Sequence, residues 1–249
     1  MDREANLSGI LSQTADVVGA SSRAVLLYVL VLGLFSGIGG LFGLVSLDEN
    51  FIFARWNAGG FETEVTGLFG ALFGFATLIL FVVASYLLLT QMMGAIGRPM
   101  RAGPRFWSFV GMSILALLGT MVGFVFLIIP GIILLVRWSA ANGYVLSGDR
   151  SITGSLGASW EATDGHGLSI FGAGLLLWIA LAILSSVISG VVLGTGLAVG
   201  GSVFSPMMAA GVTLSSIVDA ISNAVSFAFS IAVFHLVSPA DESMAEVFD

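Results

Sequence analysis

Glu161, Asp164 and His166 form the spacing E-x-x-D-x-H, the one cluster in this chain that mixes imidazole with carboxylates. A metal site sets its ligands on one face, and this spacing does so only in part. At the mouth of a helix, Thr163-Asp164-Gly165 reads more simply as a turn and N-cap, so no metal is expected. Arg137 and Asp219 matter for a different reason: each falls inside a long apolar stretch, with Asn223 one turn beyond Asp219. An ionisable group in hydrocarbon costs about 2.5 kcal/mol or more unless it is partnered, so both should face a bundle interior. Their functional reading is a proton or ion path; their structural reading is an ion pair, or an Arg137 that snorkels to a headgroup. His235, at the end of the last apolar stretch, needs no function. No catalytic residue is expected, because no H-E-x-x-H, Walker loop or dinucleotide fingerprint occurs. With no cysteine, disulfides, thiolate metal sites and cysteine nucleophiles are excluded, and no cofactor is implied.

These residues must be positioned by membrane helices. The chain is 57% hydrophobic and 9% charged, with mean hydropathy +1.05, well outside soluble composition. A helix needs about 20 apolar residues to cross a hydrocarbon core. Stretches 24–45, 65–92, 107–129, 168–188 and 209–237 each reach that length. They are apolar all round, whereas barrel strands would alternate. The fold class is therefore all-α: a polytopic transmembrane helical bundle of about six spans with interfacial amphipathic helices. Residues 1–23 form an N-terminal amphipathic segment, 24–237 the transmembrane domain and 238–249 an acidic tail.

Pro130-Gly131 interrupts one apolar region. Proline cannot donate to the preceding turn and glycine permits reversal, so 107–146 reads as a helical hairpin with its tip there; one long kinked helix is the rival. In the first span Gly33, Gly37, Gly39 and Gly43 give two G-x-x-x-G spacings, which let helix backbones approach closely. Gly190–Gly201 reads as an outer loop, a re-entrant segment or a further span; two spans in 167–237 are favoured, giving six and an inner C-terminus.

Charge sets the orientation. The loop at 93–106 carries Arg98, Arg101 and Arg105 without an acid, while 46–64 carries four acids against Arg55. Short arginine-rich loops stay inside, which makes the N-terminus cytoplasmic. Leu7, Ile10, Leu11, Thr14, Val17 and Val18 share one face of an interfacial helix, and Ile152, Leu156 and Trp160 form the stripe of another. Asn6-Leu7-Ser8 matches a glycosylation sequon, but on the cytoplasmic side it reads as chance. Eight arginines and no lysine make no basic stripe, so nucleic acid is not a partner.

One block resembles a known family: Ile128-Ile129-Pro130-Gly131-Ile132-Ile133, then Val136-Arg137-Trp138, then Ala158-Ser159-Trp160-Glu161-Ala162-Thr163-Asp164-Gly165-His166. It is similar to the membrane domain beside some bacterial glycerophosphodiester phosphodiesterases and to the related YciC-like inner-membrane proteins. These share a Pro-Gly break, an Arg-aromatic pair and a Ser-Trp-x-x-Thr-x-Gly-His loop. The resemblance covers about 40 residues and implies a six-span integral inner-membrane protein. Phosphodiesterase chemistry in the fused relatives belongs to a separate soluble barrel, for which this chain has no long polar region.

The expected function is thus a non-enzymatic, lipid-contacting or protein-scaffolding module of the bacterial inner membrane. Membrane lipids, and another membrane protein as a further option, are the expected partners. Arg98, Arg101, Arg105, Arg137, Trp160 and His166 are the candidate headgroup or structural residues. A small-solute or ion transporter using Arg137 and Asp219 is the alternative.

Overall fold

The computed structural model describes residues 5–47, 63–65, 67–98, 105–148, 150–199 and 206–238. Helices α1 (Leu7–Ala20) and α2 (Ser22–Leu41) are followed by strands β1 (Val45–Leu47) and β2 (Thr63–Val65). Then come α3 (Gly67–Ala95), α4 (Phe106–Phe126), α5 (Ile128–Arg137), α6 (Ala141–Ser147), α7 (Ile152–Ala162), α8 (Gly167–Val199) and α9 (Pro206–Val237). Among the described residues six helical segments are long and apolar enough to cross a membrane: Ser22–Leu41, Leu68–Ala95, Phe106–Phe126, Ile128–Ser147, Gly167–Ile188 and Ala210–Val237. The chain is a multi-pass, helical membrane protein. The ends of the acidic 46–64 loop pair as a short antiparallel ladder, Val45 opposite Val65, so the flanking helices stop short of those residues.

The glycine-rich stretch at 190–199 is neither a separate span nor a loop, because α8 runs through it. At 1.5 Å per residue its 33 residues extend about 50 Å. Two helices therefore occupy the described residues of 167–237. The sequon asparagine serves the fold, since Asn6 Oδ1 accepts the Gly9 amide at 2.8 Å and caps α1. Such a cap satisfies one of the orphan amides of a helix start.

Two units describe the packing. In the first, Ser22–Leu88 and Leu177–Ala224, the glycines of α2 meet α9. A methyl on Gly33 would lie 2.5 Å from Ile217 Cγ1, and one on Gly37 would collide with Thr213. Partners four residues apart on both helices, running in opposite order, are close antiparallel packing of the kind small residues permit. Tyr28 hydroxyl lies 3.4 Å from Ser85 Oγ, and Phe35 stacks on Phe73 at 4.8 Å. Asp219 and Asn223 are part-buried on α9 in this unit.

The second unit comprises Met1–Ser21, Leu89–Leu176 and Val225–Asp249. Here α4 and α5 form a hairpin: a methyl on Gly123 would touch Gly131 Cα at 3.0 Å, and Trp138 lies against Gly119. The kinked-helix alternative is therefore excluded, but the reversal sits three residues earlier than expected. Leu127, extended at φ −164° and ψ 146°, ends α4 and opens α5. Pro130 falls in the first turn of α5, where a missing N–H removes nothing the helix uses. Gly131 is needed for approach rather than reversal, since a methyl there would meet Phe124 Cγ at 2.5 Å.

Both amphipathic helices turn their stripes onto protein. Ile10, Thr14 and Val17 of α1 are buried, and Leu7 reaches Gly172 of α8. On α7, Leu156 is buried and Ile152 lies against Gly111 of α4. Trp160 stays 41% exposed, at the edge of that stripe.

Candidate functional site

The return leg of the hairpin is broken. Between α5 and α6, residues 138–140 form turns, and a break strands backbone groups that a membrane interior cannot solvate. Hydroxyls from two directions satisfy them. Ser159 Oγ donates to the Arg137 carbonyl at 2.7 Å and accepts the Ala140 amide at 3.2 Å. Thr163 Oγ1 donates to the Ser159 carbonyl at 2.8 Å, with the Arg137 carbonyl a longer contact at 3.3 Å. From α9, Ser230 Oγ donates to the Ser139 carbonyl at 2.6 Å and accepts Asn142 Nδ2 at 3.0 Å. Ser155, Ser159 and Thr163 are fully buried. They lie at i, i+4 and i+8, so α7 presents a hydroxyl face, not only an apolar stripe, to the break. Ser151 caps α7 through the Gly154 amide at 3.1 Å, which fixes that face.

Arg137 is the last residue of α5, and its guanidinium meets Asp164 Oδ1 at 2.7 Å and the Trp160 carbonyl at 3.3 Å. It also lies 5.3 Å over the Trp160 ring. Arg137 therefore forms its ion pair with Asp164. The break after Arg137 lets the chain return α7 and its following turn to the same place. Gly165, at φ +76°, makes that turn, and His166 Nδ1 lies 3.0 Å from the Asp164 carbonyl oxygen. The carboxylate of E-x-x-D-x-H is thus engaged by a guanidinium. Among the described residues no three His, Cys, Asp or Glu side chains converge as metal ligands.

The Arg137 hydrogen bond, with its positive charge, holds the Asp164 carboxyl below its ordinary 3.8. A lowered folded-state value means stability present above 3.8 and lost as the pH falls through that lower value. The Asp164 side chain is 77% exposed, so solvent screens the pair. Asp164→Asn is therefore expected to leave thermal stability in detergent nearly unchanged at neutral pH. Arg137→Ala should lower it measurably, because the guanidinium, 23% exposed, also holds the Trp160 carbonyl and covers its ring.

A second group of arginines gathers around two aromatic rings. Gly97, at φ +74°, closes α3 with two bonds, Gly97 N to Gly94 O and Arg98 N to Met93 O, both 3.1 Å. This Schellman geometry fixes the Arg98 backbone. Arg98 lies 5.3 Å over Phe234 and donates to Ser238 Oγ. Phe234 meets Tyr144 edge to face at 4.9 Å, and Arg150 lies 5.7 Å over Tyr144. Arg105 donates to the Gly148 carbonyl and, at 2.7 Å, to that of Arg150. It therefore sits at the C-terminus of α6, where a cation complements the helix dipole. Arg101 lies outside the described residues.

Sequence reasoning singled out Arg98, Arg105, Arg137, Trp160 and Asp164, had Ser159 and Thr163 only as letters of the resemblance motif, and missed Ser230, Asn142, Tyr144 and Arg150. The i, i+4, i+8 hydroxyls of α7 were the available signal. Comparisons with protein-family models, with curated proteins and with solved structures find no match for this chain.

Proposed function

We propose that this chain is a non-enzymatic integral protein of a bacterial inner membrane, whose arginine-bearing end contacts anionic lipid headgroups at the cytoplasmic face. The observation that carries this reading is the gathering of Arg98, Arg105 and Arg150 at helix ends around Tyr144 and Phe234. Arginines just inside a span's end are held there by the membrane potential and attract anionic lipid. The resemblance to the phosphodiesterase-associated membrane domains belongs to the same reading.

The break between α5 and α6 bears on the transporter alternative. Discontinuous helices in transporters use their exposed backbone groups to hold substrate or ion. Here the Arg137 and Ser139 carbonyls and the Ala140 amide are already bonded to protein hydroxyls, the pattern of a structural joint. In proteoliposomes, purified protein is expected to retain anionic over zwitterionic lipid and to pass no solute or proton current. A flux abolished by Asp219→Asn would overturn the proposal, and a stoichiometric protein partner without lipid preference would replace headgroup contact by scaffolding.

A further inference from the structure

The α4–α5 hairpin measures its own depth. At its base sits a ring of ionisable side chains: Arg137 pairs with Asp164, Glu161 is exposed beside Trp160, and His166 follows the Gly165 turn. From Arg137 the ten residues of α5 rise about 15 Å to Leu127. The other leg agrees, since Trp138 lies against Gly119 and Gly119 to Phe126 is about 11 Å. Residues 119–136 hold no ionisable side chain, and Thr120 is their one hydroxyl. At the tip Val125, Phe126, Leu127, Ile128 and Ile129 follow one another, each between 67% and 83% exposed.

A hydrocarbon core is about 30 Å thick, so a hairpin of this height covers half of it. If the tip reached the outer surface, the ring at its base would lie at mid-plane. Glu161 and a 77% exposed Asp164 would then stand in hydrocarbon, where charged side chains are most costly. If the ring lies among headgroups instead, five consecutive apolar residues lie at mid-plane, which suits them. The start of α8 decides the same way. A methyl on Gly167 would lie 3.8 Å from Val136 Cγ1, and the 22-residue apolar segment Gly167–Ile188 begins there. Its length of about 33 Å matches a whole core only when counted from a headgroup surface. Beyond the ring, toward the arginine-bearing end, the packing is that of a protein facing water. Met92, Met93, Val145 and Leu146 are wholly buried, while Gln91, Arg150 and Thr153 are exposed. Trp107, exposed there too, is a residue type of the headgroup layer.

We infer that the α4–α5 hairpin is re-entrant: it dips into one leaflet, ends near mid-plane among acyl chains and returns to the face it left. Two of the six segments long enough to cross, Phe106–Phe126 and Ile128–Ser147, therefore do not cross. A crossing hairpin and a re-entrant one both open to the face they start from, so the inference goes beyond the headgroup-contact reading without depending on it. Only the leaflet, the cytoplasmic one, is taken from the orientation proposed above.

The test measures depth in the full chain, reconstituted in vesicles of phosphatidylcholine and phosphatidylglycerol. The chain has no native cysteine, so nitroxide labels go singly on Ile128→Cys, Glu161→Cys and Leu78→Cys. Leu78 lies ten residues, or about 15 Å, inside the span Leu68–Ala95 and calibrates mid-plane. Power saturation compares collisions with oxygen, which concentrates at mid-plane, and with a water-soluble nickel chelate. The label at 128 should match that at 78, rich in oxygen collisions and shielded from nickel. The label at 161 should be several-fold more accessible to nickel than either. Ile129→Cys repeats the tip measurement where a label at 128 disturbs the fold. A nickel-accessible tip overturns the inference, and so does a label at 161 as deep as that at 78. A tip shielded from both reagents overturns contact with acyl chains and puts protein, a second copy included, in their place. None of these results alters the lipid preference that tests headgroup contact, so the two readings fail separately.

Discussion

Gly143→Ala is expected to destabilise the protein in detergent by about 1–3 kcal/mol, the range for forcing atoms into a filled core. A methyl at Gly143 would fall onto the Phe234 ring, at its Cγ and Cδ1 atoms. That ring is 2% exposed, pressed edge to face on Tyr144 and covered by Arg98, so it has nowhere to move. The gain in helix propensity from Gly to Ala, about 1 kcal/mol, offsets only part of the strain. Phe234→Leu in the same chain removes the colliding ring, and the double variant should be less destabilised than the two single effects summed. Gly157→Ala is the control: it lies inside α7 with nothing within 4 Å of the added methyl, and should be neutral or slightly stabilising. Thermal unfolding followed by intrinsic fluorescence in one detergent compares all four. A harmless Gly143→Ala would contradict the packing of α6 on α9.

The second large effect is expected at the break. Ser159→Ala removes the acceptor of the Ala140 amide and the close donor to the Arg137 carbonyl. Leaving a buried amide without a partner costs about 1–3 kcal/mol. Thr163→Val preserves volume and removes the longer contact, 3.3 Å, while Ser159 still covers the carbonyl. Thr163 bonds first to the Ser159 carbonyl, 2.8 Å away, so Thr163→Val alone should cost less than Ser159→Ala. A Thr163→Val variant as damaging as Ser159→Ala would mean that Thr163, not Ser159, holds the Arg137 carbonyl.

Much of this architecture is legible in the sequence because hydropathy acts over whole spans. The five long apolar stretches each give a long helix, and the Pro130-Gly131 region gives a hairpin. Local chemistry shifted its tip: proline fits the first turn of a helix, so the chain reversed before it, at Leu127. The break after Arg137 carries no proline or glycine at 138–140, so no local breaker announces it. It depends on hydroxyls supplied from α7 and α9, which only the tertiary fold brings near. For the same reason the partner of Arg137 was not legible: hydropathy set it beside Asp219 as a second charge in an apolar stretch, whereas the broken leg returns Asp164. The stripes of α1 and α7 were legible as apolar faces, but periodicity does not distinguish a face laid on lipid from one laid on protein. Arg150 escaped notice because its role depends on Tyr144, a residue whose sequence context is simply an apolar helix end.

Headgroup contact at the cytoplasmic face requires that the arginine-bearing end of the multi-pass bundle lie inside and the acidic 46–64 loop outside. Because the protein has no native cysteine, single cysteines at Asn57 and at Thr153, an exposed position of α7, give a clean readout. In intact cells, a membrane-impermeant thiol reagent is expected to label the cysteine at position 57 and to reach that at position 153 only after permeabilisation. Labelling at 153 but not 57 in intact cells would invert the orientation and contradict the proposed function.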